Sequence, residues 1–386
     1  MEVYLDNAAT TRVLPEIAAA MAEVMVRQYG NPSGVYKKSR EAAGLVLEAR
    51  ERVARLLHAS FKDIYFTGGG SEGDNMLLRG AAHALREKGR HIVTTQIEHH
   101  AVLRTCEALE KEGFAVTYVP VGADGRVDPE TVRQVLRPDT ILLSVQYANN
   151  EIGTLQPVAE LGALARERGI LFHTDAVQAA GHVPLDVERE HIDLLTLTAH
   201  KFHGPKGCGA VYVRHGIDLE PLIYGGPQER GWRAGTENVP GICGLGMAAD
   251  HAVRCLEQTG VRVRALRDHL IDRVLSEIPG TALNGSREYR LPNNANFRID
   301  GGNGEDLLLL LDFADIAASS GSACASSSLD PSHVLLALGL TPEEARSSLR
   351  FTLSEFTTKP QIDYTVEKLK EAVTRLRGAA PGLSLI

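Results

Sequence analysis

The stretch LTLTAHKFHGPKGCG, from Leu195 to Gly209, is the strongest signal in this chain for both the fold and the chemistry that we predict. Its apolar start belongs to a run that begins at Ile192 and predicts a buried strand ending at Thr198. Lys201 follows between two histidines, and glycines with a proline then predict a tight turn. A strongly hydrated ammonium is an unusual group at the mouth of a buried strand.

Imine chemistry is one reason for such a lysine, because its amine must lose a proton in order to attack a carbonyl carbon. We therefore predict that Lys201 binds a carbonyl cofactor covalently. A solvated loop lysine is the ordinary alternative for any lysine taken alone. The two hypotheses differ in what they require of the rest of the chain, since a bound cofactor needs further groups around it.

The composition narrows the class of protein. The chain has 386 residues, of which 44% are hydrophobic, enough for two domains with a sizeable core. Its formal net charge of -8 and its aromatic content of 5% argue against general binding to nucleic acid or anionic lipid. No apolar run is long enough to span a bilayer and the N-terminus does not resemble a signal peptide, so we expect a cytoplasmic protein. The five cysteines include no CxxC pair, which argues against a zinc knuckle or a disulfide framework.

Short apolar runs alternate with helix-like patterns between residues 64 and 213. This alternation predicts an α/β fold with a mainly parallel sheet covered by helices on both faces. A long helix is predicted from Pro240 to Ile278, with a break near Gly260, and a smaller α+β unit follows. We expect a large domain over residues 16–255 and a small domain over residues 1–15 plus 256–386. Because ligands bind at the carboxyl ends of parallel strands, the residues that follow the strands are the candidates for a site.

Two of the predicted strands lead into groups suited to an anion and to a ring nitrogen. In FTGGGSEGDN, residues 66–75, three glycines connect a strand to a helix, and bare amides at a helix N-terminus bind phosphate. Asp175 and Gln178 follow another strand, where a carboxylate can keep a pyridine nitrogen protonated. The ordinary alternatives are a glycine-rich turn and an aspartate that caps a helix.

Histidines and asparagines follow two further strands, at His99, His100, Asn149 and Asn150. Loop hydrogen bonding and turn formation are their ordinary roles. Taken together, the groups at these separate strand ends meet the needs of pyridoxal 5'-phosphate (PLP), an anionic aromatic aldehyde. A catalytic zinc is the rival, because histidine and aspartate are zinc ligands. We rank zinc below PLP, since the helical histidine pair of a zinc protease is missing and zinc has no use for Lys201.

Eight segments of the sequence resemble, in their order along the chain, those of the cysteine desulfurases of the NifS/IscS class. These are PLP-dependent enzymes of the aminotransferase class V, with the fold type I. The segments are YLDNAATT, GNPSG, NNEIGTLQP, HTDAVQA, TAHKFHGPKGCG, RAGTENVPG, SSGSACASS and LRFTLSEFTT. The resemblance covers nearly the whole chain and implies a large mainly parallel-sheet domain with a smaller α+β domain. Gly70 and Ser71 stand where the family has alanine and threonine, and serine keeps a hydroxyl for the phosphate.

The resemblance implies a role for each matching residue. Lys201 would carry the cofactor, and His99 would stack on its ring and act as acid and base. Asn150 and Arg350 would bind the substrate carboxylate, which the planar arginine fork grips with two hydrogen bonds. One cofactor-binding residue, Thr236, would come from the second subunit of an obligate homodimer. The full implied cofactor set is Gly70, Ser71, His99, Asn150, Asp175, Gln178, Thr198, His200, Lys201 and Thr236.

Cys324 would be the nucleophile, in the small-residue segment SSGSACASSS. The implied reaction converts L-cysteine to L-alanine and holds the sulfur on Cys324 as a persulfide. An acceptor protein for iron–sulfur cluster assembly or tRNA thiolation would then take it. No resident metal is expected, although Cys324 can transiently ligate a cluster.

Two alternatives to a desulfurase stay open. One is another PLP enzyme of this fold, such as a selenocysteine lyase or an aminotransferase. The other is a non-catalytic homologue that only binds a partner, against which the presence of both Lys201 and Cys324 argues.

Overall fold

The computed structural model of the chain describes residues 1–320 and 330–378. Within these residues, no helix is both long and apolar enough to cross a membrane. The described strands are β1 (Val3–Tyr4), β2 (Ile64–Thr67), β3 (His91–Thr95), β4 (Ala115–Val119), β5 (Thr140–Ser144), β6 (Leu171–Asp175), β7 (Leu194–Thr198), β8 (Gly209–Val213), β9 (Thr281–Leu283), β10 (Asn294–Ile299), β11 (Ile316–Ala317), β12 (Ser319–Ser320) and β13 (Ser348–Thr352). The described α-helices are α1 (Pro15–Arg27), α2 (Lys37–Leu57), α3 (Gly70–Leu85), α4 (His100–Lys111), α5 (Pro129–Val135), α6 (Val158–Arg168), α7 (Val239–Glu277), α8 (Gly304–Asp312), α9 (His333–Ala337), α10 (Pro342–Arg346) and α11 (Lys359–Gly378).

A seven-stranded sheet forms the centre of the larger unit, in the order β2-β8-β7-β6-β5-β3-β4. Neighbouring strands are parallel except where β8 pairs with β2 and β7, to both of which it is antiparallel. The prediction of an α/β fold with a mainly parallel sheet is therefore confirmed. The chain adds β4 on one side of β3 and then continues with β5 on the other side. Crevices that bind ligands form at such a switch point.

The sheet is buried on both faces, which is why its strands read as apolar runs rather than as alternating patterns. Helices α3 and α4 cover one face, and α1, α2, α6 and the first half of α7 cover the other. The side chains of a strand alternate between these two layers. In β7, for example, Leu194 packs on the side of α3 and α4, whereas Leu195 and Leu197 pack on the opposite side.

The remaining strands form a smaller unit beside this sheet. Its antiparallel sheet has the order β12-β13-β10-β9, and the N-terminal β1 pairs in parallel with β11. The second half of α7 packs with α8 and α11 over this sheet, around Phe297 and Phe351. The N-terminal arm stays attached here, because Asp6 forms a bridge with Thr352 of β13.

The predicted break near Gly260 is wrong, because α7 is one continuous helix of 39 residues. Glycine costs about 1 kcal/mol in a helix interior. The buried residues on either side of Gly260 outweigh that cost, since they anchor the helix in two different cores. Tertiary packing therefore decides the continuity of this helix, and α7 links the larger and the smaller unit as a single rod.

Candidate active site

A cavity of about 290 Å³ lies at the carboxyl ends of the central strands. Most of the residues predicted at separate strand ends line this cavity, because the carboxyl ends of neighbouring parallel strands meet at the same edge of the sheet. The predicted residues that line it are Gly70, Ser71, His99, Asn150, Asp175, Gln178, Thr198, His200, Lys201 and Arg350. Asp74, Gln146, Ala148, Val177 and the N-terminal residues Ala8 and Ala9 complete the lining.

Lys201 lies in a single 3-10 turn, Ala199–Lys201, that follows directly after β7. Its ammonium donates hydrogen bonds to the carbonyl oxygens of Ala8, at 2.6 Å, and Ala9, at 2.7 Å. The N-terminal arm is held in place below this turn, because the Thr11 amide and hydroxyl both donate to the His200 carbonyl. Lys201 therefore extends into the cavity rather than into bulk water.

Asp175 is the last residue of β6, and Gln178 follows in the next turn. The Asp175 Oδ1 accepts a hydrogen bond from the Val177 amide at 2.9 Å, so the ordinary turn-forming role is also present. Burial raises the pKa of the Asp175 carboxyl, whereas this hydrogen bond and the charge of Lys201 act to lower it. Gln178 Nε2 donates to the Ala8 carbonyl at 3.0 Å, so the arm contacts two cavity residues.

His99 caps the N-terminus of α4, and its Nδ1 accepts a hydrogen bond from the Ala101 amide at 3.1 Å. Burial, reinforced by the nearby charges of Lys201 and His100, lowers the pKa of His99 to about 4. The ring is therefore neutral at pH 7, with its proton on Nε2 because Nδ1 is the acceptor.

The glycine-rich turn after β2 leads into α3, whose first residue is Gly70. A Cβ atom at Gly70 would lie 2.8 Å from Val177 Cγ2, so the alanine usual in the family requires Val177 to move. No side chain caps this helix, and its first amides are available to an anion.

Thr198 is the last residue of β7, and His200 follows it, beside the N-terminus of α3. The Thr198 hydroxyl donates to the Cys208 carbonyl, and His200 Nδ1 lies 3.2 Å from the Thr10 hydroxyl oxygen. Burial, together with the charges of Lys201 and Lys206, lowers the pKa of His200 to about 4. These groups and the Ser71 hydroxyl suit a phosphate better than a metal, since they offer hydrogen-bond donors around helix amides.

Arg350, from β13 of the smaller unit, is 2% exposed. Its Nη1 donates to the Asn150 carbonyl at 2.9 Å, and its Nη2 donates to Asp6 Oδ1 at 2.8 Å. Its Nε is buried and has no hydrogen-bond partner. A guanidinium has five N–H donors, so several remain for a carboxylate in the cavity.

Two predicted residues are not among those that line the cavity. Thr236 is exposed. Cys324 lies outside the described residues. The chain before its segment contacts the cavity residue Arg350, and the chain after it contacts His100, the neighbour of His99. On one side, Ser319 pairs with Arg350 in the smaller sheet. On the other side, His333 packs its ring on His100, with 4.7 Å between the ring centroids.

Sequence reasoning missed several contributors to the site, among them Ala8, Ala9, Asp6 and Asp74. The carbonyls of Ala8 and Ala9 carry no side-chain signal, although both belong to the quoted segment YLDNAATT. Asp6 belongs to the same segment, and its pairing with Arg350 depends on the fold. Asp74 lies in the quoted segment FTGGGSEGDN, one helical turn after Gly70. This spacing could have indicated that Asp74 shares the helix face of Gly70 and therefore faces the site.

Among residues 1–320 and 330–378, no three histidine, cysteine, aspartate or glutamate side chains are grouped so that they could hold a metal ion. The histidines after the strands instead serve as a helix cap and as hydrogen-bond partners of the N-terminal arm.

Residues 3–365 match the class-V aminotransferase family. The chain is 50% identical over 379 residues to the cysteine desulfurase IscS of Methanosarcina thermophila, covering 98% of this chain and 94% of that one. It is 48% identical over 380 residues to the cysteine desulfurase IscS of Dictyoglomus turgidum, covering 98% and 96%. The chain belongs to the cysteine desulfurase family of class-V aminotransferases.

Solved structures of this family have the same fold. A NifS-like protein superposes with a TM-score of 0.91 at 37% identity, covering 97% of this chain and all of that one. The cysteine desulfurase of Thermococcus onnurineus NA1 superposes with a TM-score of 0.88 at 26% identity, covering 97% and 95%. These likenesses confirm the predicted fold class, and the family confirms the prediction of a cysteine desulfurase enzyme.

Proposed function

We propose that this protein converts L-cysteine to L-alanine and carries the released sulfur on Cys324, with PLP bound in the 290 Å³ cavity. The observation that carries the proposal is the position of Lys201. Its amine lies in the same cavity as a buried carboxylate, a helix N-terminus and a buried arginine. A surface lysine has no need of such surroundings, which separates this proposal from the solvated-loop alternative.

The residues present fit PLP. The amides at the start of α3, with Ser71, Thr198 and His200, suit its phosphate, and Lys201 suits its aldehyde. Asp175 suits the pyridine nitrogen and Gln178 the phenolic oxygen. Gly70 leaves no Cβ in the narrow space between the start of α3 and Val177. When bound, PLP supplies an electron sink for the bonds around the substrate α-carbon.

The chain supplies proton transfer and orientation. The carbonyls of Ala8 and Ala9 fix the direction of the Lys201 amine. When this amine is not attached to the cofactor, it accepts the proton from the α-carbon of cysteine. His99 has its proton on Nε2 and moves it to or from the substrate. Because both groups are partly shielded from water, their interactions in the site are stronger than in solution.

Arg350 and Asn150 orient the substrate. The unpaired Nε of Arg350 and its remaining N–H groups bind the cysteine carboxylate. The thiolate of Cys324 then attacks the substrate sulfur, so that an S–S bond forms and the carbon–sulfur bond breaks. The electron pair of the broken bond stays with the carbon, which takes a proton to become the methyl group of alanine. The sulfur remains on Cys324 as a persulfide.

A sulfur acceptor and a second subunit complete the proposal. An iron–sulfur scaffold or a tRNA thiolation enzyme takes the sulfur. In a homodimer, the exposed Thr236 of one subunit binds the cofactor phosphate of the other subunit across the interface.

We place the enzyme in the cytoplasm. We also propose the domain division at residues 16–255 against 1–15 plus 256–386. The two separate hydrophobic cores joined by α7 support that division.

Mass spectrometry of Cys324 tests the proposal. After incubation with L-cysteine, we expect the peptide that contains Cys324 to gain one sulfur atom and alanine to form. Cys324→Ala abolishes both while it keeps the colour of the bound cofactor, and the partly buried Cys243→Ala is the matched control. Alanine formation by Cys324→Ala at the wild-type rate would favour a lyase, whereas loss of the amino group of cysteine without alanine formation would favour an aminotransferase. A colourless protein that PLP cannot reconstitute would favour the non-catalytic homologue.

A further inference from the structure

Asp74 lines the cavity but has no role in the mechanism above. It lies on α3, one turn after Gly70, and is 1% exposed. Its Oδ1 has no hydrogen-bond partner. An unsatisfied buried carboxylate oxygen is costly, so this side chain calls for an explanation.

Two glycines bring Asp74 this close to the sheet. A Cβ at Gly70 would lie 2.8 Å from Val177 Cγ2, and a Cβ at Gly73 would lie 2.7 Å from Thr196 Cγ2 and 2.9 Å from Val211 Cγ1. Because residues three apart share a helix face, both glycines let α3 rest directly on the strands. The neighbouring Asp74 is thereby held at the depth of the strand ends.

A buried imidazole stands beside this carboxyl. His173 Nε2 lies 3.7 Å from Asp74 Oδ1, and both side chains are almost completely buried. His173 Nδ1 lies 2.8 Å from the Ser144 hydroxyl oxygen, and His173 Nε2 lies 3.4 Å from that of Thr196. His173 precedes Asp175 by two positions in β6, so their side chains share the sheet face that α3 covers.

The charge balance of the cavity does not favour two ionised aspartates. The described lining of the cavity contains one lysine, Lys201, and one arginine, Arg350, and Arg350 is already paired with Asp6. Burial raises the pKa of Asp74 well above its usual range, and the charges of Asp175 and then Glu98 raise it further, against a hydrogen bond from Thr196. Burial also lowers the pKa of His173 to about 3, so the imidazole does not take up a proton of its own near neutral pH.

We propose that Asp74 is a neutral carboxylic acid beside the neutral ring of His173, and that this positioning residue keeps Asp175 as the ionised aspartate of the cavity. The pair then has no net charge, and Asp175 does not face a second negative charge. The inference rests on the proposed function only in naming the pyridine nitrogen of PLP as the group that Asp175 serves.

Infrared spectroscopy of the cofactor-free protein at pH 7 tests the protonation state. We expect the wild-type minus Asp74→Asn difference spectrum to contain the C=O stretch of one protonated carboxylic acid. Asp193→Asn is the matched control, since Asp193 is 6% exposed but paired with Arg214, and its difference spectrum should contain only a carboxylate band. A carboxylate band for Asp74 as well would overturn the proposal. Buried Glu98 and Glu151 are present in every variant, so they cancel in the difference.

A second variant keeps Asp74 in place and tests its coupling to Asp175. In Asp175→Asn the neighbouring negative charge is gone, so the Asp74 acid band should disappear at a lower pH than in the wild type. Subtracting the spectrum of the Asp74→Asn, Asp175→Asn double variant assigns the band to Asp74, because Asp175 also raises the pKa of buried Glu98. An unchanged midpoint would contradict the inference. This measurement involves no cofactor.

Cofactor affinity separates this inference from the proposed function. We expect Asp74→Asn to bind PLP within about threefold of the wild type, because the amide is neutral and keeps a donor and an acceptor. Asp74→Leu should weaken binding by about tenfold or more, since Thr196 loses its hydrogen-bond partner. Equal weakening in both variants would mean that the charge of Asp74 matters and would reject the inference. If Asp175→Asn instead binds PLP like the wild type, the role proposed for Asp175 fails while the neutral state of Asp74 stands.

Discussion

The amine of Lys201 lies 2.6 Å from the carbonyl oxygen of Ala8, although 193 residues separate the two along the chain. This contact joins the turn after β7 to the N-terminal arm, which pairs with the smaller unit through β1 and Asp6. Lys201, the proposed catalytic lysine, therefore lies where the two units meet. Its orientation depends on backbone atoms of the arm, so the arm belongs to the active site.

Replacing Lys201 should remove the covalent attachment of the cofactor. We expect Lys201→Ala to lose the absorption of the bound imine and at least about a hundredfold in activity, as is typical when a general base is removed. The absorption spectrum and the rate of alanine formation measure the two effects. The exposed Lys206→Ala in the same turn is the control. If Lys201→Ala kept the imine absorption, Lys206 would be the attachment site.

Arg350→Lys should weaken substrate binding more than turnover. A lysine keeps the charge but loses the planar fork, and charge-assisted hydrogen bonds contribute about 1.5–3 kcal/mol each. We therefore expect KM for cysteine to rise by about tenfold or more, with a smaller change in kcat. Arg298→Lys, on the neighbouring strand β10, should leave both constants unchanged. A normal KM in Arg350→Lys would exclude Arg350 as the carboxylate ligand.

Gly73→Ala and Gly260→Ala should change stability in opposite directions. The new methyl group at Gly73 meets Thr196 and Val211 below 3.0 Å, and such overpacking costs about 1–3 kcal/mol. At Gly260 nothing lies within 4 Å of the new Cβ, and alanine is the better helix former by about 1 kcal/mol. Urea unfolding of the cofactor-free variants measures both. A stable Gly73→Ala protein would show that α3 has room to move away from the sheet.

His182 should make the folded protein less stable in acid. Burial lowers the pKa of His182 to about 4, whereas the unfolded chain has the ordinary value of about 6.5. Between these values the unfolded state binds a proton that the folded state does not, so stability falls as the pH falls from about 6.5 to about 4. We expect His182→Asn to reduce this loss by up to about 1.4 kcal/mol per pH unit.

Urea unfolding of the cofactor-free protein at several pH values measures this dependence. His215→Asn is the control, because the side chain of His215 is 93% exposed. Equal pH dependence in wild type and His182→Asn would show that the folded chain also protonates His182.

The exposed position of Thr236 predicts a homodimer in solution. The residue does not line the cavity of its own chain, so its proposed contact with the phosphate needs a second subunit. We expect sedimentation equilibrium to give twice the chain mass. Thr236→Ala should weaken PLP binding without changing the fold. A fully active monomer would contradict the prediction.

Much of the fold was predictable because its signals are local. The apolar run before Lys201, the glycines after β2 and the alternation of strands and helices each lie within a short window of the sequence. The break near Gly260 was predicted wrongly for the same reason, because a local propensity was read without the two cores that anchor α7.

By itself, the sequence determined which chemical groups the site contains, since Lys201, His99, Asp175 and Arg350 follow from motifs and strand ends. Only the tertiary structure decided which atoms these groups meet. The Ala8 and Ala9 carbonyls beneath Lys201, Asp6 beside Arg350, and Asp74 against His173 all join segments that are far apart in the chain. Such contacts depend on strand order and on how closely α3 approaches the sheet, and backbone oxygens and buried proton positions leave no trace in the residue pattern.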